Sequence, residues 1–213
     1  MTTVILVRHG QSEANVGGFF AGCNDVELSS LGKQQAEATA EYIVKNYKIN
    51  GVYASDLKRA YETGRAVADR LNLEITPEKG MREIFAGAWE MRTFDQLMYD
   101  YPEQYNVWLK DIGNAGCPEG ESVVELSERI YRTVLKIAEE NDGKTVLIAT
   151  HATPVRVMEC ICRQLPIAEM KNISWVSNAS VTELQYDSGN WKIIKCGYDE
   201  HLAEIKSKLP INV

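Results

Sequence analysis

Two stretches of the chain share one layout: Thr3-Val4-Ile5-Leu6-Val7-Arg8-His9 and, 142 residues later, Thr145-Val146-Leu147-Ile148-Ala149-Thr150-His151. Each is a threonine, four apolar residues, one polar or charged residue and a histidine. An unbroken apolar run of this length, rich in branched side chains and ended by polar residues, reads as a strand buried on both faces. Two such strands running parallel in one sheet would deliver both histidines to the same carboxyl edge, where open α/β sheets hold their ligands. Either histidine alone reads as a satisfied strand-end residue. Two of only three histidines in the chain at matching strand ends point to a site.

Outward from these stretches the chain alternates between strands and helices. Ala36, Ala40, Ile43, Val44 and Tyr47 recur at helical spacing and predict an amphipathic helix over 30–47, capped by Ser29 or Ser30. Gly51 to Ser55 reads as a short strand. A helix carrying Ala60, Val67 and Leu71 follows, with Asp56 as its expected cap, and Leu73 to Thr76 reads as a strand stopped by Pro77. Leu126, Ile130, Val134 and Ile137 mark another helix, which ends near Asn141-Asp142-Gly143. A further helix is expected to start at Pro154, since proline suits the first helical position. The alternating run 180–186, the turn residues 187–190 and the run 191–196 form a hairpin signature. The expected fold is α/β: a three-layer α/β/α sandwich with a mostly parallel central sheet. Between Arg82 and Glu121 the periodicity degrades and aromatic residues concentrate. The division that follows is one catalytic domain over 1–213, with 82–121 inserted as a cap over the site.

Composition excludes several classes. The 213 residues carry 23 Lys and Arg against 30 Asp and Glu, a formal charge of −7, and 45% are hydrophobic. That is too apolar for a disordered chain, and its acidic balance argues against a partner such as nucleic acid held by the overall field. Five cysteines occur without a CxxC pair or a Cys/His cluster at zinc spacing, so neither disulfides nor a metal are expected. No apolar stretch approaches the ~18–20 residues that span a bilayer, and there is no leader pattern at the start. The expected compartment is the reducing cytoplasm, and the oligomeric state stays open between monomer and homo-oligomer.

Arg8 precedes His9, and Arg59 falls in the first turn of the helix after the second strand, which also places it at the carboxyl edge. Two guanidiniums beside two imidazoles form an anion site, and the planar fork of arginine suits phosphate oxygens. Backbone amides at Gly10-Gln11-Ser12, where a helix could start, add donors. A metal held by the histidines is the rival, but the adjacent cations oppose it.

These residues resemble a known family. Leu6-Val7-Arg8-His9-Gly10-Gln11-Ser12-Glu13-Ala14-Asn15 is similar to the Arg-His-Gly signature of the histidine phosphatase superfamily, which includes the cofactor-dependent phosphoglycerate mutases. Leu28-Ser29-Ser30-Leu31-Gly32 with Gln35-Ala36, Ser55 to Ala60 with Thr63, Arg82-Glu83 with Gly87, Trp89 and Glu90, Gly120-Glu121-Ser122, and Thr150-His151 resemble its later landmarks in order. The resemblance implies a phosphoglycerate mutase-like fold and phosphoryl transfer through a phosphohistidine on His9, with no cofactor and no metal. Arg8, Arg59, His151 and Asn15 would hold the phosphoryl oxygens. Glu83 would protonate the leaving group, with Glu13 and Glu90 as rivals. An unperturbed histidine titrates near pH ~6.5, so neighbouring cations favour the neutral, nucleophilic form. Gln11, Ser12, Gly22, Cys23, Phe85, Trp89 and Ala152 are candidates to touch the substrate.

The sequence departs from the family pattern after the second histidine, where Ala152-Thr153-Pro154 stands in place of a glycine. The mutases' paired arginines are also missing: between 91 and 120 only Arg92 and Lys110 are basic. A mutase must retain a bisphosphate intermediate, so this favours water as acceptor. The expected activity is hydrolysis of a small phosphorylated metabolite, with mutase activity as the alternative. His201 has no motif around it and reads as a surface residue.

Overall fold

The computed structural model describes residues 1–207. In chain order the main elements are β1 (Thr2–Arg8), α1 (Glu13–Gly17), α2 (Ser30–Asn46), β2 (Gly51–Ala54), α3 (Lys58–Leu71) and β3 (Ile75–Pro77). Then come α4 (Phe94–Asp100), α5 (Pro102–Lys110), α6 (Val123–Glu140), β4 (Thr145–Thr150), α7 (Ala152–Cys162), β5 (Val181–Asp187) and β6 (Asn190–Tyr198). The strands form one six-stranded sheet in the order β3-β2-β4-β1-β5-β6. The first four are parallel, and β5 and β6 close one edge as an antiparallel hairpin.

The central pair follows the two quoted stretches residue for residue. Thr3 lies opposite Thr145 and Arg8 opposite Thr150, and the His9 amide donates to the Thr150 carbonyl at 2.8 Å. Alternation along these strands explains why they are apolar throughout. Val4, Leu6, Val146 and Ile148 face α6 and α7 through Leu126, Ile130, Val134 and Met158. Ile5, Val7, Leu147 and Ala149 face α2 and α3 through Ala40, Ile43 and Val67. Each fully buried aliphatic side chain contributes roughly 1.5–3 kcal/mol, so a one-residue slip of either strand would exchange both cores at once. Among the described residues no helix is long and apolar enough to cross a membrane.

Several local expectations change. Asp56 caps nothing: the residue before α3 is Leu57, with no side-chain cap, and both Asp56 oxygens accept from Arg82 at 2.6 and 2.7 Å. Helix α7 starts at Ala152, so Pro154 is its third residue; its missing N–H falls among first-turn donors that have no intrahelical partner anyway. The third strand lies slightly later than expected and includes Pro77. The 82–121 segment is largely ordered into α4, α5 and short 3-10 turns, with Leu97, Tyr105 and Trp108 turned into the α6 and α7 core. Its short helices explain why a long-window periodicity failed there. His201 is not a free surface residue. Its ring stacks on Tyr42 and Tyr198, with centroids 4.8 and 5.6 Å away, and its Nε2 lies 2.9 Å from the Thr39 hydroxyl.

Candidate active site

The carboxyl ends of β1, β2 and β4 converge. Beyond β1 the chain must turn tightly beneath the start of α2, and two glycines make that turn fit. A Cβ on Gly10 would lie 2.4 Å from the Gly32 carbonyl oxygen, and one on Gly32 would lie 1.9 Å from the Gln11 oxygen. The turn is fastened by side chains from two helices: the Gly10 amide donates to Thr63 Oγ1 at 3.1 Å and the Gln11 amide to Gln35 Oε1 at 2.8 Å.

His9 is buried, and its Nδ1 lies 2.6 Å from the carbonyl oxygen of Gly10. A carbonyl only accepts, so Nδ1 carries the hydrogen and Nε2 keeps its lone pair. Burial, then the charges of Arg59 and Arg8, hold the His9 pKa well below the usual histidine value. The ring is therefore neutral at physiological pH. His151, in the cap position of α7, is likewise held neutral, by burial first and then by Arg59. The two rings meet edge to face with centroids 5.1 Å apart. The Nε2 of His151 lies 2.9 Å from the Ser55 hydroxyl, and its buried Nδ1 has no protein partner.

Two buried guanidiniums flank this pair. Arg8 gives Nη1 to the Val176 carbonyl, while its Nε is buried without a partner; burial lowers its pKa to about 10. Arg59, the second residue of α3, donates to the carbonyls of Asn24 and Gly22 at 2.8 and 2.7 Å. The unpartnered Nε of buried Arg8, beside a second buried guanidinium, is what an oxyanion would satisfy. Asn15 completes this arrangement. Its Oδ1 accepts from the Ser12 amide and hydroxyl, both at 3.0 Å, and from Asn178 Nδ2 at 3.2 Å. The oxygen is thereby used, and the amide N–H groups are what Asn15 has left to offer.

Glu83 lines the same cavity. Its carboxylate accepts from the amides of Ile84 at 2.9 Å and Thr153 at 3.3 Å. The backbone around it is held by Arg129, which donates to the carbonyls of Gly80, Arg82 and Glu83 and forms a two-pronged pair with Glu121. The rivals are placed otherwise. Glu13 is exposed, and Glu90 accepts from the amides of Cys23 and Ala86 and from Asn24 Nδ2.

The cavity encloses about 90 Å³. Arg8, His9, Ser12, Asn15, Arg59, Glu83, Gly22, Ala152 and Thr153 line one side, and Phe19, Phe20, Phe94, Trp108 and Trp175 supply aromatic rings. Four of the residues expected to touch a substrate lie elsewhere. Trp89 is wholly buried behind the aromatic wall, its ring against Phe20, Tyr105 and Trp108. Phe85 and Cys23 line a neighbouring groove, and Gln11 turns its side chain to Ser29. Sequence reasoning missed Trp175 and Asn178, which arrive from a loop with no motif. It also missed Phe19 and Phe20, and Arg129 on α6, which pairs with Glu121 in the loop before that helix. Among the described residues no group of three or more His, Cys, Asp or Glu is placed to hold a metal ion.

A model of the histidine phosphatase superfamily (branch 1) matches residues 4–199. Phosphoserine phosphatase 1 of Hydrogenobacter thermophilus is 29% identical over 96% of both chains. Glucosyl-3-phosphoglycerate phosphatase of Mycobacterium tuberculosis is 33% identical over 88% of this chain and 86% of its own. The solved phosphoserine phosphatase of Entamoeba histolytica, a mutant in complex with phosphoserine, superposes with a TM-score of 0.81. It is 29% identical and covers 95% of this chain and 100% of its own.

Proposed function

The chain belongs to the histidine phosphatase superfamily, and on that premise we propose that it hydrolyses phosphate monoesters of small molecules through a phosphohistidine on His9. The observation that carries this reading is the state of His9: neutral, with Nδ1 committed to its own loop and Nε2 bare between two buried guanidiniums.

In the first step the Nε2 lone pair attacks phosphorus. An N–P bond forms, the P–O bond to the alcohol breaks, and a proton from the Glu83 carboxyl goes to the departing oxygen. In the second, water attacks the phosphoryl group and gives its proton to the Glu83 carboxylate. The N–P bond breaks, and inorganic phosphate and neutral His9 result. Arg8, Arg59, His151 and Asn15 stabilise charge on the non-bridging oxygens throughout. The reaction draws on no metal, and residues 82–121 act as a cap that supplies part of the aromatic wall. Two relatives named as phosphatases favour water over a second substrate oxygen as acceptor.

The test is phosphate release in excess chelator, with the phosphoenzyme trapped in alkali and mapped by mass spectrometry. The expected label sits on His9, and His9→Ala loses both the label and turnover. A label on another residue, or turnover by His9→Ala above about one part in 10³, overturns the reading.

A further inference from the structure

The cavity has two chemically distinct walls, and only one of them is accounted for by phosphoryl transfer. The aromatic wall comes from three separate regions: Phe19 and Phe20 after α1, Phe94 and Trp108 from α4 and α5, and Trp175 from the loop before β5. Phe19, Phe20 and Phe94 carry no polar atom, and Trp108 and Trp175 offer one indole N–H each, so these rings suit the rest of the substrate better than its phosphate.

Charges near that wall narrow the choice. Among the described residues the cavity is lined by two cations, Arg8 and Arg59, and both belong to the phosphate cradle. The cations around it are engaged elsewhere. Arg82 is paired with Asp56, Arg129 with Glu121 and Lys171 with Asp111. Arg156 lies beneath Trp175, 4.0 Å from its ring centre; its Nε and Nη2 donate to the carbonyls of Met170 and Ile173, its buried Nη1 has no partner among the described residues, and it is not one of the residues that line the cavity. The remaining ionisable group in the lining is Glu83, which offers a second anion no positive charge. A substrate carboxylate entering here would lose its hydration against aromatic faces and meet no lining cation outside the phosphate cradle, only the neutral N–H groups of Trp108 and Trp175, whereas an uncharged apolar group would gain burial.

We propose that this site selects phosphate monoesters whose alcohol is uncharged and apolar, such as aryl-alkyl or alkyl phosphates, over monoesters that carry a carboxylate. This rests on the phosphatase reading above and departs from the phosphoserine and glucosyl-3-phosphoglycerate for which two relatives are named. Phe94, at the first position of α4, is the residue on which this preference can be moved, because it is only partly buried and lies outside the phosphate cradle.

The experiment compares 2-phenylethyl phosphate with 3-phosphoglycerate and O-phosphoserine. All three release a primary alkoxide, so a difference in kcat/KM reads binding of the alcohol and not leaving-group quality. The expected result is a preference for 2-phenylethyl phosphate of roughly tenfold or more, lying in KM. In Phe94→Arg the preference narrows through faster turnover of 3-phosphoglycerate. Equal or better kcat/KM for either carboxylate ester in the wild type overturns the proposal. If none of the three esters is hydrolysed, the phosphatase reading fails. The preference is then read from equilibrium binding of 3-phenylpropylphosphonate against 2-hydroxy-4-phosphonobutyrate, with tighter binding of the latter again overturning it.

Discussion

The polar and the aromatic residues that line the cavity are positioned by different means. Arg8, His9 and His151 stand at the ends of adjacent strands in matched register, and Arg59 begins the helix that follows the next strand. Their backbones are fixed by the sheet and the helix start, and their side chains are tied to backbone carbonyls and a hydroxyl, some of them on distant loops: Arg8 to Val176, Arg59 to Gly22 and Asn24, His151 to Ser55. The aromatic rings come from stretches far apart in the chain; Phe20 and Trp108 are aligned by contact with Trp89 and with each other, and Trp175 by Arg156 beneath it. Chemistry is thus entrusted to backbone register, and selectivity to packing. The two can change separately at position 94, where a different ring alters what is held without touching the residues that hold His9; Trp175 is less free, since the next residue, Val176, holds Arg8.

That separation can be attacked experimentally. The largest effect after loss of His9 is expected from Glu83→Gln, which keeps the acceptor for Ile84 but has no proton to give and take. For a poor leaving group kcat should fall roughly 10²- to 10⁴-fold with KM little changed, while p-nitrophenyl phosphate, which needs no protonation, should lose far less in the first step. Steady-state and burst kinetics on both esters check this. A Glu83→Gln enzyme that changed KM alone would break the division between the walls.

A smaller effect concerns pH. His9 and His151 are held neutral in the fold by burial and by Arg59 and Arg8. In the unfolded chain the same rings take up protons below about pH 6.5, so the unfolded state binds more protons there and stability falls as pH drops through that value. The slope is about 1.4 kcal/mol per pH unit for each ring. His201, lowered chiefly by burial, moves the same way. Urea midpoints at pH 7.5 and 5.5 measure it. A midpoint that did not fall would mean that the polar wall accepts protons in place, and the neutral nucleophile would be lost from the argument for it.

The smallest effect sharpens the picture. Asn178 donates to both the His9 carbonyl and Asn15 Oδ1, each at 3.2 Å. Asn178→Ala should lower kcat about tenfold, on the scale of one lost hydrogen bond that orients a polar group. Combined with Asn15→Ala it should cost less than the two separate losses together, because part of its effect runs through Asn15 and part through the His9 carbonyl. Additive losses in that cycle would assign Asn178 a purely structural part.

The polar wall was legible in the sequence because its determinants are local. An apolar run followed by Arg-His fixes a strand, its burial and the edge at which its last side chains emerge, and the matching run at 145–151 supplies the partner. Glu83 was found by a motif rather than by physics, since the Arg129 that holds its backbone lies on α6, 46 residues away. The aromatic residues of the cavity were legible only in part: the aromatic-rich segment 82–121 was expected over the site and supplies Phe94 and Trp108, but the other rings carried no signal. Phe85 and Trp89 stand next to Glu83 in sequence, yet one faces a neighbouring groove and the other the core, because the 3-10 turn at Gly87–Trp89 rotates successive side chains away from the cavity. Trp175 stands in a loop whose path is set by Arg156, a contact no periodicity encodes. His201 failed for the same reason: its partners Tyr42 and Thr39 lie on α2.

Gln35 binds the Gln11 amide through its oxygen and the Ile205 carbonyl through its nitrogen, and Ser207 donates to Asn178, which in turn holds His9. In chain order these clasps come after every strand of the sheet. During synthesis the loop that carries His9 is therefore made long before the residues that fasten it, and a nascent chain stopped short of Asp199 would hold every strand while lacking the ties from Ile205 and Ser207.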